Sequence, residues 1–246
     1  MINHEHKFIF LHIPKCAGTS IGYTLNTILG IGDPRQFDDE YGGFKVHHDI
    51  LTKEMLEEYF VFTFVRNPWS RLVSNYTYRK EIYTKFTFDE FARNMLRSFA
   101  DGLGYPYIPS YIPMWEDREK SFWKEESHEG LDFIPKWDVL MNDYQKMIDY
   151  FSEFICIPSQ LDFLRGKYSF GLDRLPYVDF FGKVENIQDD FDTICQRLGV
   201  SNKKVKIRNN SIDRVKPYWN YYDDDLREFV YKQFKEDIDH FDYKWR

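Results

Sequence analysis

The sequence predicts an α/β fold in three layers, with a central parallel sheet flanked by helices on both faces. Two apolar runs, from Phe8 to Ile13 and from Phe60 to Val65, are short, rich in β-forming residues and apolar on both sides, as strands inside a parallel sheet are. Each run is followed by a loop and then by apolar residues at helical spacing. A chain of 246 residues is long enough for one large domain and short for two, so we expect a single domain over residues 1–246.

The loop after the first run has the features of a phosphate-binding loop. Pro14 ends the strand, Lys15 lies in the loop, and a helix opens at residues 17–20 with apolar positions at Ile21, Leu25, Ile28 and Leu29. The N–H groups and the dipole at the start of such a helix favour an anion. The Walker A pattern of kinases is absent, because Gly18 occupies the place of the lysine before Thr19. The loop is therefore P-loop-like, but it is less suited to the chemistry of a magnesium-bound nucleoside triphosphate.

Residues 60–76 form a second signal. Asn67 is a good N-cap and Pro68 a good first residue for a helix that follows the second apolar run. Arg66 then lies at the carboxyl end of the strand, where open α/β sheets bind ligands. Arg71 and Ser74 are three residues apart and share one face of the helix.

These two segments together resemble a known family. H-I-P-K-C-A-G-T-S at residues 12–20 and F-V-R-N-P-W-S-R-L-V-S-N-Y at residues 64–76 are similar to the two nucleotide-binding motifs of sulfotransferases that use 3′-phosphoadenosine 5′-phosphosulfate (PAPS), in particular the carbohydrate, family 2-like branch. Residues 178–199 resemble the third block of that family, and Pro158-Ser-Gln160 resembles a mid-chain Pro-Gln element. Residues 100–157 match poorly.

The resemblance implies a binding site for the donor PAPS. The 5′-phosphosulfate would contact the backbone of Cys16, Ala17 and Gly18 and the hydroxyls of Thr19 and Ser20. Lys15 would stabilise charge on the leaving phosphate, and Arg66 with Ser74 would bind the 3′-phosphate. Arg71 is a less specific candidate, and Arg208-Asn-Asn-Ser211 resembles a segment that reaches back to the nucleotide. Because lysine and arginine supply the positive charge, no metal is expected.

Sulfuryl transfer to a hydroxyl also needs a base, and histidine has a suitable ordinary pKa. Related glycan sulfotransferases have a histidine between the first two motifs, and only His47 and His48 occupy that segment here. The alignment of the segment favours His48, with His47 as the alternative. His12, in the strand before the loop, is expected to be a packed side chain, and Cys16 a small loop residue rather than a nucleophile.

Local signals predict several further elements. Thr52 is expected to cap a short helix, and Thr87 to Glu90 form a capping box. A strand is predicted at 178–181, a helix that ends at Gly199 follows it, and one last helix extends from about Asp223 to Phe241. Residues 101–137, within the segment 101–157, are rich in aromatic residues and broken by glycine and proline. Two interpretations stay open: an acceptor-binding insertion or lid, and an irregular segment whose aromatic side chains pack onto the body of the domain.

Composition limits the class of protein. The net charge of −7 does not indicate a nucleic-acid partner. Three cysteines give no disulfide framework, and no run of about 20 apolar residues or signal peptide is present. We therefore expect a cytoplasmic enzyme without a transmembrane segment.

The most specific hypothesis is a sulfotransferase whose acceptor is a glycan or another hydroxyl-bearing small molecule. Two alternatives remain open at this point. One is a P-loop kinase of a small molecule, which the missing lysine before Thr19 disfavours. The other is a nucleotide-binding module without catalysis, which the His47–His48 pair disfavours.

Overall fold

The structure is a computed structural model, and it describes residues 1–30, 52–78, 87–100, 159–168, 178–207 and 216–246. The chain divides into two compact units, one made of Met1–Asp89 and Pro158–Arg246, the other of Glu90–Ile157. The predictions for residues 31–51, 101–157 and 208–215 lie outside the described residues, and the expectation of a single domain with an insertion at 101–157 stays a prediction.

A sheet of four strands forms the centre of the first unit, in the order β1 (Ile2–Asn3), β2 (Phe8–Leu11), β3 (Phe60–Val65) and β4 (Phe180–Lys183). Strands β2, β3 and β4 are parallel, with Leu11 opposite Thr63 and Val65 opposite Lys183. The predicted α/β fold with a mostly parallel sheet flanked by helices is confirmed. The sheet is mixed rather than all parallel, because β1 pairs antiparallel with β2.

The two central strands are buried, as their apolar residues on both faces predicted. All four residues of β2 are buried, as are the last five of β3. The Phe10 ring stacks on the Phe62 ring of the neighbouring strand, with centroids 5.2 Å apart. Cross-strand aromatic pairs of this kind stabilise a sheet beyond the area that they bury.

The helices follow the strands in chain order. Their bounds are α1 Gly18–Leu29, α2 Lys53–Glu58, α3 Pro68–Tyr76, α4 Phe88–Ala100, α5 Gln160–Tyr168, α6 Ile187–Leu198, α7 Asp224–Gln233 and α8 Lys235–His240. Short 3₁₀ turns cover Val184–Asn186 and Tyr218–Tyr221. None of the helices within the described ranges is long and apolar enough to cross a membrane.

Several predicted helix caps are present. The Thr52 side chain accepts a hydrogen bond from the Met55 N–H at the start of α2. Asn67 and Asp223 cap α3 and α7 in the same way. Gly199 ends α6 in the left-handed conformation, with φ 66°.

Two boundaries differ from the predicted ones. The last strand begins at Phe180 rather than at residue 178. Just before it, the Asp179 N–H donates to the Val61 carbonyl at 2.8 Å, but the Val61 N–H donates to the Asp179 carboxylate at 2.7 Å, so a side chain takes the place of a backbone acceptor. The last helix is two helices, since Phe234 leaves the helical conformation at φ −112° and ψ 22°. No glycine or proline marks this break in the sequence.

Candidate functional site

The two predicted motifs meet at one edge of the sheet. Strands β2 and β3 are parallel neighbours, so their carboxyl ends lie side by side. Residues 12–17 connect β2 to α1, and Arg66 with Asn67 connects β3 to α3. Motifs that are about 50 residues apart in sequence are therefore adjacent in the fold, at the edge where open α/β sheets bind ligands.

The loop before α1 has an unusual backbone. Lys15 and Ala17 both have positive φ, 67° and 59°, which costs about 1–2 kcal/mol for each non-glycine residue. The Cys16 N–H, predicted as a phosphate ligand, donates instead to the Ile13 carbonyl at 3.2 Å. Within the described parts of the chain, the N–H groups of Ala17, Gly18 and Thr19 have no hydrogen-bond acceptor. Three such N–H groups at the positive end of a twelve-residue helix are an arrangement that favours an anion, and we call them the candidate anion site.

Two arginines of the second motif donate to successive carbonyls of this loop. Arg71 Nε donates to the Pro14 carbonyl at 3.1 Å, and Arg66 Nη1 donates to the Lys15 carbonyl at 3.2 Å. Arg66 Nε also donates to the Ser70 hydroxyl at 3.1 Å. Arg71 is almost fully buried. The arginines fix the loop to α3 and place two positive charges against its carbonyls.

A buried glutamine joins the loop, β3 and the last helix. Gln160 Oε1 accepts from the Arg66 N–H at 2.7 Å and from the Cys16 thiol at 3.2 Å, and its Nε2 donates to the Arg66 carbonyl at 2.9 Å. The backbone N–H of Gln160 donates to Asp237 Oδ2 at 2.6 Å, and the N–H of Leu161 donates to Oδ1 at 3.0 Å. The Pro-Gln element therefore has a physical role, which is to connect the candidate site to α8.

The side chain of Lys15 lies against the end of α3. Its Nζ is 3.4 Å from the centroid of the Tyr78 ring. Ser74 lies half-buried in the last turn of the same helix. The structure thus joins Lys15 to Arg66 through its carbonyl and to Tyr78, just beyond the helix that carries Ser74, through its ammonium. Of the two predicted hydroxyl groups on α1, that of Ser20 is buried and Thr19 is half-buried.

Comparison with known proteins identifies the family. The sequence profile of the Sulfotransferase family matches residues 1–244. The chain belongs to the Sulfotransferase family. It is also similar to carbohydrate sulfotransferase 12 of Mus musculus, with 23% identity over an alignment of 236 residues that covers 82% of this chain and 49% of the relative. This chain spans about half the length of that relative. No solved structure matches this chain.

Membership of the Sulfotransferase family confirms the resemblance seen in the two motifs, and the named relative lies in the carbohydrate branch that the motifs indicated. The individual site residues stay predictions. His47, His48 and the segment Arg208–Ser211 lie outside the described residues, as does the acceptor-binding insertion proposed at 101–157.

The Cys16 thiol is enclosed by the protein and protonated. Cys16 is almost fully buried, and burial raises its pKa to about 12, only partly offset by the positive charges of Arg71 and Arg66. The thiol is protonated at neutral pH and donates to Gln160. Burial also raises the pKa of the Asp237 carboxyl, against the hydrogen bonds from Gln160 and Leu161 and the charge of Arg71, which lower it.

His12 contacts the loop in a way that explains Gly18. A Cβ atom added to Gly18 would lie 1.7 Å from His12 Cδ2 and 2.1 Å from Nε2. The imidazole therefore packs directly on the first residue of α1. Only glycine leaves room for the ring in this position.

Sequence reasoning missed Glu185 and Tyr243. Glu185 Oε1 accepts from the Asn67 N–H at 2.9 Å, and the Tyr243 hydroxyl donates to Glu185 Oε2 at 3.3 Å. Burial raises the pKa of Tyr243, so this hydroxyl stays protonated. Glu185 lies in the third block that resembled the family, which was the one available signal. Among the residues that the structure describes, no group of His, Cys, Asp and Glu side chains is arranged to hold a metal ion.

Proposed function

We propose that this chain is a sulfotransferase that moves a sulfuryl group from PAPS to a hydroxyl of a glycan or a similar acceptor. The observation that carries the proposal is the loop before α1. Its N–H groups at residues 17–19 have no acceptor within the described parts of the chain, and Arg66 and Arg71 donate to two carbonyls of the same loop. Family membership supports the reaction class. The name of the mouse relative supports a carbohydrate acceptor.

The residues present fit a donor with phosphate groups at two positions. The three N–H groups and the Thr19 hydroxyl suit the 5′ end of the nucleotide, and Lys15 is the cation of the same loop. Arg66 donates to the Ser70 hydroxyl and the Lys15 carbonyl, and Ser74 lies in the last turn of the helix that Arg66 precedes. Arg66 and Ser74 would then bind the 3′-phosphate. When bound, PAPS supplies the sulfuryl group in activated form.

The side chains of this protein would do two further things. The Lys15 ammonium would stabilise the negative charge that develops on the leaving phosphate, and preorganised charge of this kind is a large term in catalysis. His48, or His47 if the register differs by one, would accept the proton of the acceptor hydroxyl.

The first experiment is isothermal titration with 3′-phosphoadenosine 5′-phosphate, with ADP and Mg²⁺-ATP in parallel. The bisphosphate should bind with a Kd in the micromolar range, and ADP much more weakly, because only the bisphosphate carries the 3′-phosphate. Equal or tighter binding of Mg²⁺-ATP would refute the assignment of Arg66 and Ser74 and favour a kinase.

The second experiment measures transfer of labelled sulfate from PAPS to a panel of glycans. Lys15→Ala should abolish turnover while the protein stays folded, and Lys232→Ala is the matched control because Lys232 is an exposed residue on α7. An active Lys15→Ala variant would exclude the role given to Lys15.

Variants of the two histidines separate the candidates for the base. His48→Ala should lower kcat far more than it lowers affinity for the bisphosphate. If His47→Ala alone has this effect, then the base is His47.

A further inference from the structure

The contact between Lys15 and Tyr78 has the geometry of a strong cation–π interaction. The ammonium nitrogen lies 3.4 Å from the ring centroid, well inside the range of about 6 Å over which such contacts act. Tyr78 is 51% exposed, so one large aromatic side chain stands at the surface beside the candidate site. Large aromatic side chains are usually more buried than this.

Both partners of the contact are fixed at their backbones. Lys15 has φ 67°, and its carbonyl accepts from Arg66 Nη1. Beyond the end of α3, Thr77 keeps a helical conformation with φ −80° and ψ −4°. The Tyr78 N–H then donates to the Asn75 carbonyl at 3.3 Å, which continues the turn by one residue.

The position of Tyr78 relates the contact to the donor site. Tyr78 follows Ser74 by four residues, a spacing that places two side chains on one side of a helical turn. The ammonium of Lys15 thus lies at the end of α3 that carries Ser74. The negative end of the helix dipole also favours a cation at this place.

We propose that Tyr78 is a positioning residue for Lys15, and that its ring fixes the lysine ammonium beside the phosphates of the donor. The inference rests on the proposed function. A lysine side chain has four carbons and many rotamers, so a partner that restricts it places its charge before the nucleotide arrives. An aromatic ring attracts the ammonium through its quadrupole and adds no net negative charge.

The test is a double-mutant cycle on binding of 3′-phosphoadenosine 5′-phosphate, measured by calorimetry. Tyr78→Leu should weaken binding roughly 2- to 5-fold, the factor expected for an exposed cation–π contact. Tyr78→Phe keeps the ring and should keep most of the affinity. In a Lys15→Met background, Tyr78→Leu should have no further effect, because the ring acts through the lysine. Lys235→Met is the control, since Lys235 also lies over a tyrosine ring, 5.8 Å from the centroid of Tyr231.

A second measurement needs no nucleotide. Protons on the Lys15 Cε, beside the Tyr78 ring, should show an upfield ring-current shift in the NMR spectrum of the free protein. The shift should persist in Tyr78→Phe and disappear in Tyr78→Leu.

The outcomes distinguish the two proposals. If the wild type binds the bisphosphate and Tyr78→Leu binds equally well, the inference about Tyr78 is wrong and the proposed function stands. An equal loss of affinity from Tyr78→Leu with and without Lys15 would also refute it, because the ring would then act independently of the lysine. If the wild type does not bind the bisphosphate, the proposed function fails and this inference fails with it.

Discussion

Replacement of Gly18 by alanine tests how the loop before α1 is built. The new Cβ would lie 1.7 Å from His12 Cδ2, half of the 3.4 Å at which ordinary contact begins. The imidazole or the start of α1 must therefore move by more than an ångström. Because the N–H groups of Ala17, Gly18 and Thr19 lie at that start, we expect the movement to distort the anion site.

The cost to stability should be small compared with the loss of binding. Overpacking costs about 1–3 kcal/mol, whereas alanine in place of glycine in a helix gains about 1 kcal/mol. The net loss of about 0–2 kcal/mol corresponds to a decrease in Tm of at most about 8 °C for a chain of this size. Binding groups must lie within about 0.5 Å of their productive positions. We therefore expect affinity for 3′-phosphoadenosine 5′-phosphate to fall at least tenfold, about 1.4 kcal/mol.

Calorimetry and thermal unfolding on the same samples separate the two effects. Gly199→Ala is the matched control, because Gly199 has φ 66° with nothing near its Cβ position, so alanine there should cost about 1–2 kcal/mol of stability without changing affinity. The double variant His12→Ala, Gly18→Ala should bind more tightly than Gly18→Ala alone, since the clash is relieved. Normal affinity in Gly18→Ala would refute the reasoning.

Three further predictions concern the groups under the loop. Arg71→Lys should lower the free energy of unfolding in urea by about 1.5–3 kcal/mol, because lysine cannot replace the buried guanidinium that donates to the Pro14 carbonyl. The control is Arg227→Lys, at a more exposed ion pair, which should lower it by less than about 1 kcal/mol. Equal losses in the two variants would contradict this prediction. Asp237→Asn should cost about 1–3 kcal/mol in the same assay, because the amide nitrogen would face a backbone N–H of Gln160 or Leu161, and an unchanged midpoint would exclude this network. For Cys16 the folded pKa is raised from 9.0 to about 12, so its contribution to stability is complete below pH 9 and is lost as the pH rises toward 12. Urea unfolding of Cys16→Ala should therefore depend less steeply on pH than that of the wild type between pH 8 and 10, and parallel curves would contradict the assignment.

Local signals were sufficient for the central part of the fold. The apolar runs of β2 and β3 predicted buried parallel strands, and both are buried and paired in parallel. Asn67 and Gly199 predicted helix ends because a capping side chain or a left-handed glycine acts within a few residues of its own position. The same signals placed Arg66 at the carboxyl edge of the sheet.

Other features depend on contacts that have no local pattern. Strand β1 has only two residues, Ile2 and Asn3, too few for any periodicity. Gln160 and Asp237 are 77 residues apart, so their hydrogen bonds leave no trace in composition or spacing. The burial of Arg71 and the contact of Lys15 with Tyr78 arise in the same way, because a side chain's environment is set by elements far away in the chain. These long-range contacts decide which motif residues support the loop and which are available to a ligand.

The connection from Gln160 to Asp237 determines when, during synthesis of the chain, the candidate anion site can form. Ribosomes synthesise the loop at residues 14–17 long before they reach Asp237, whose carboxylate binds the backbone of Gln160. Because a chain folds from its N-terminus during synthesis, β2 and α1 emerge long before this support exists. The anion site should therefore reach its final geometry only after translation has passed residue 237. Nascent chains that end before Asp237 should then be unable to retain the nucleotide.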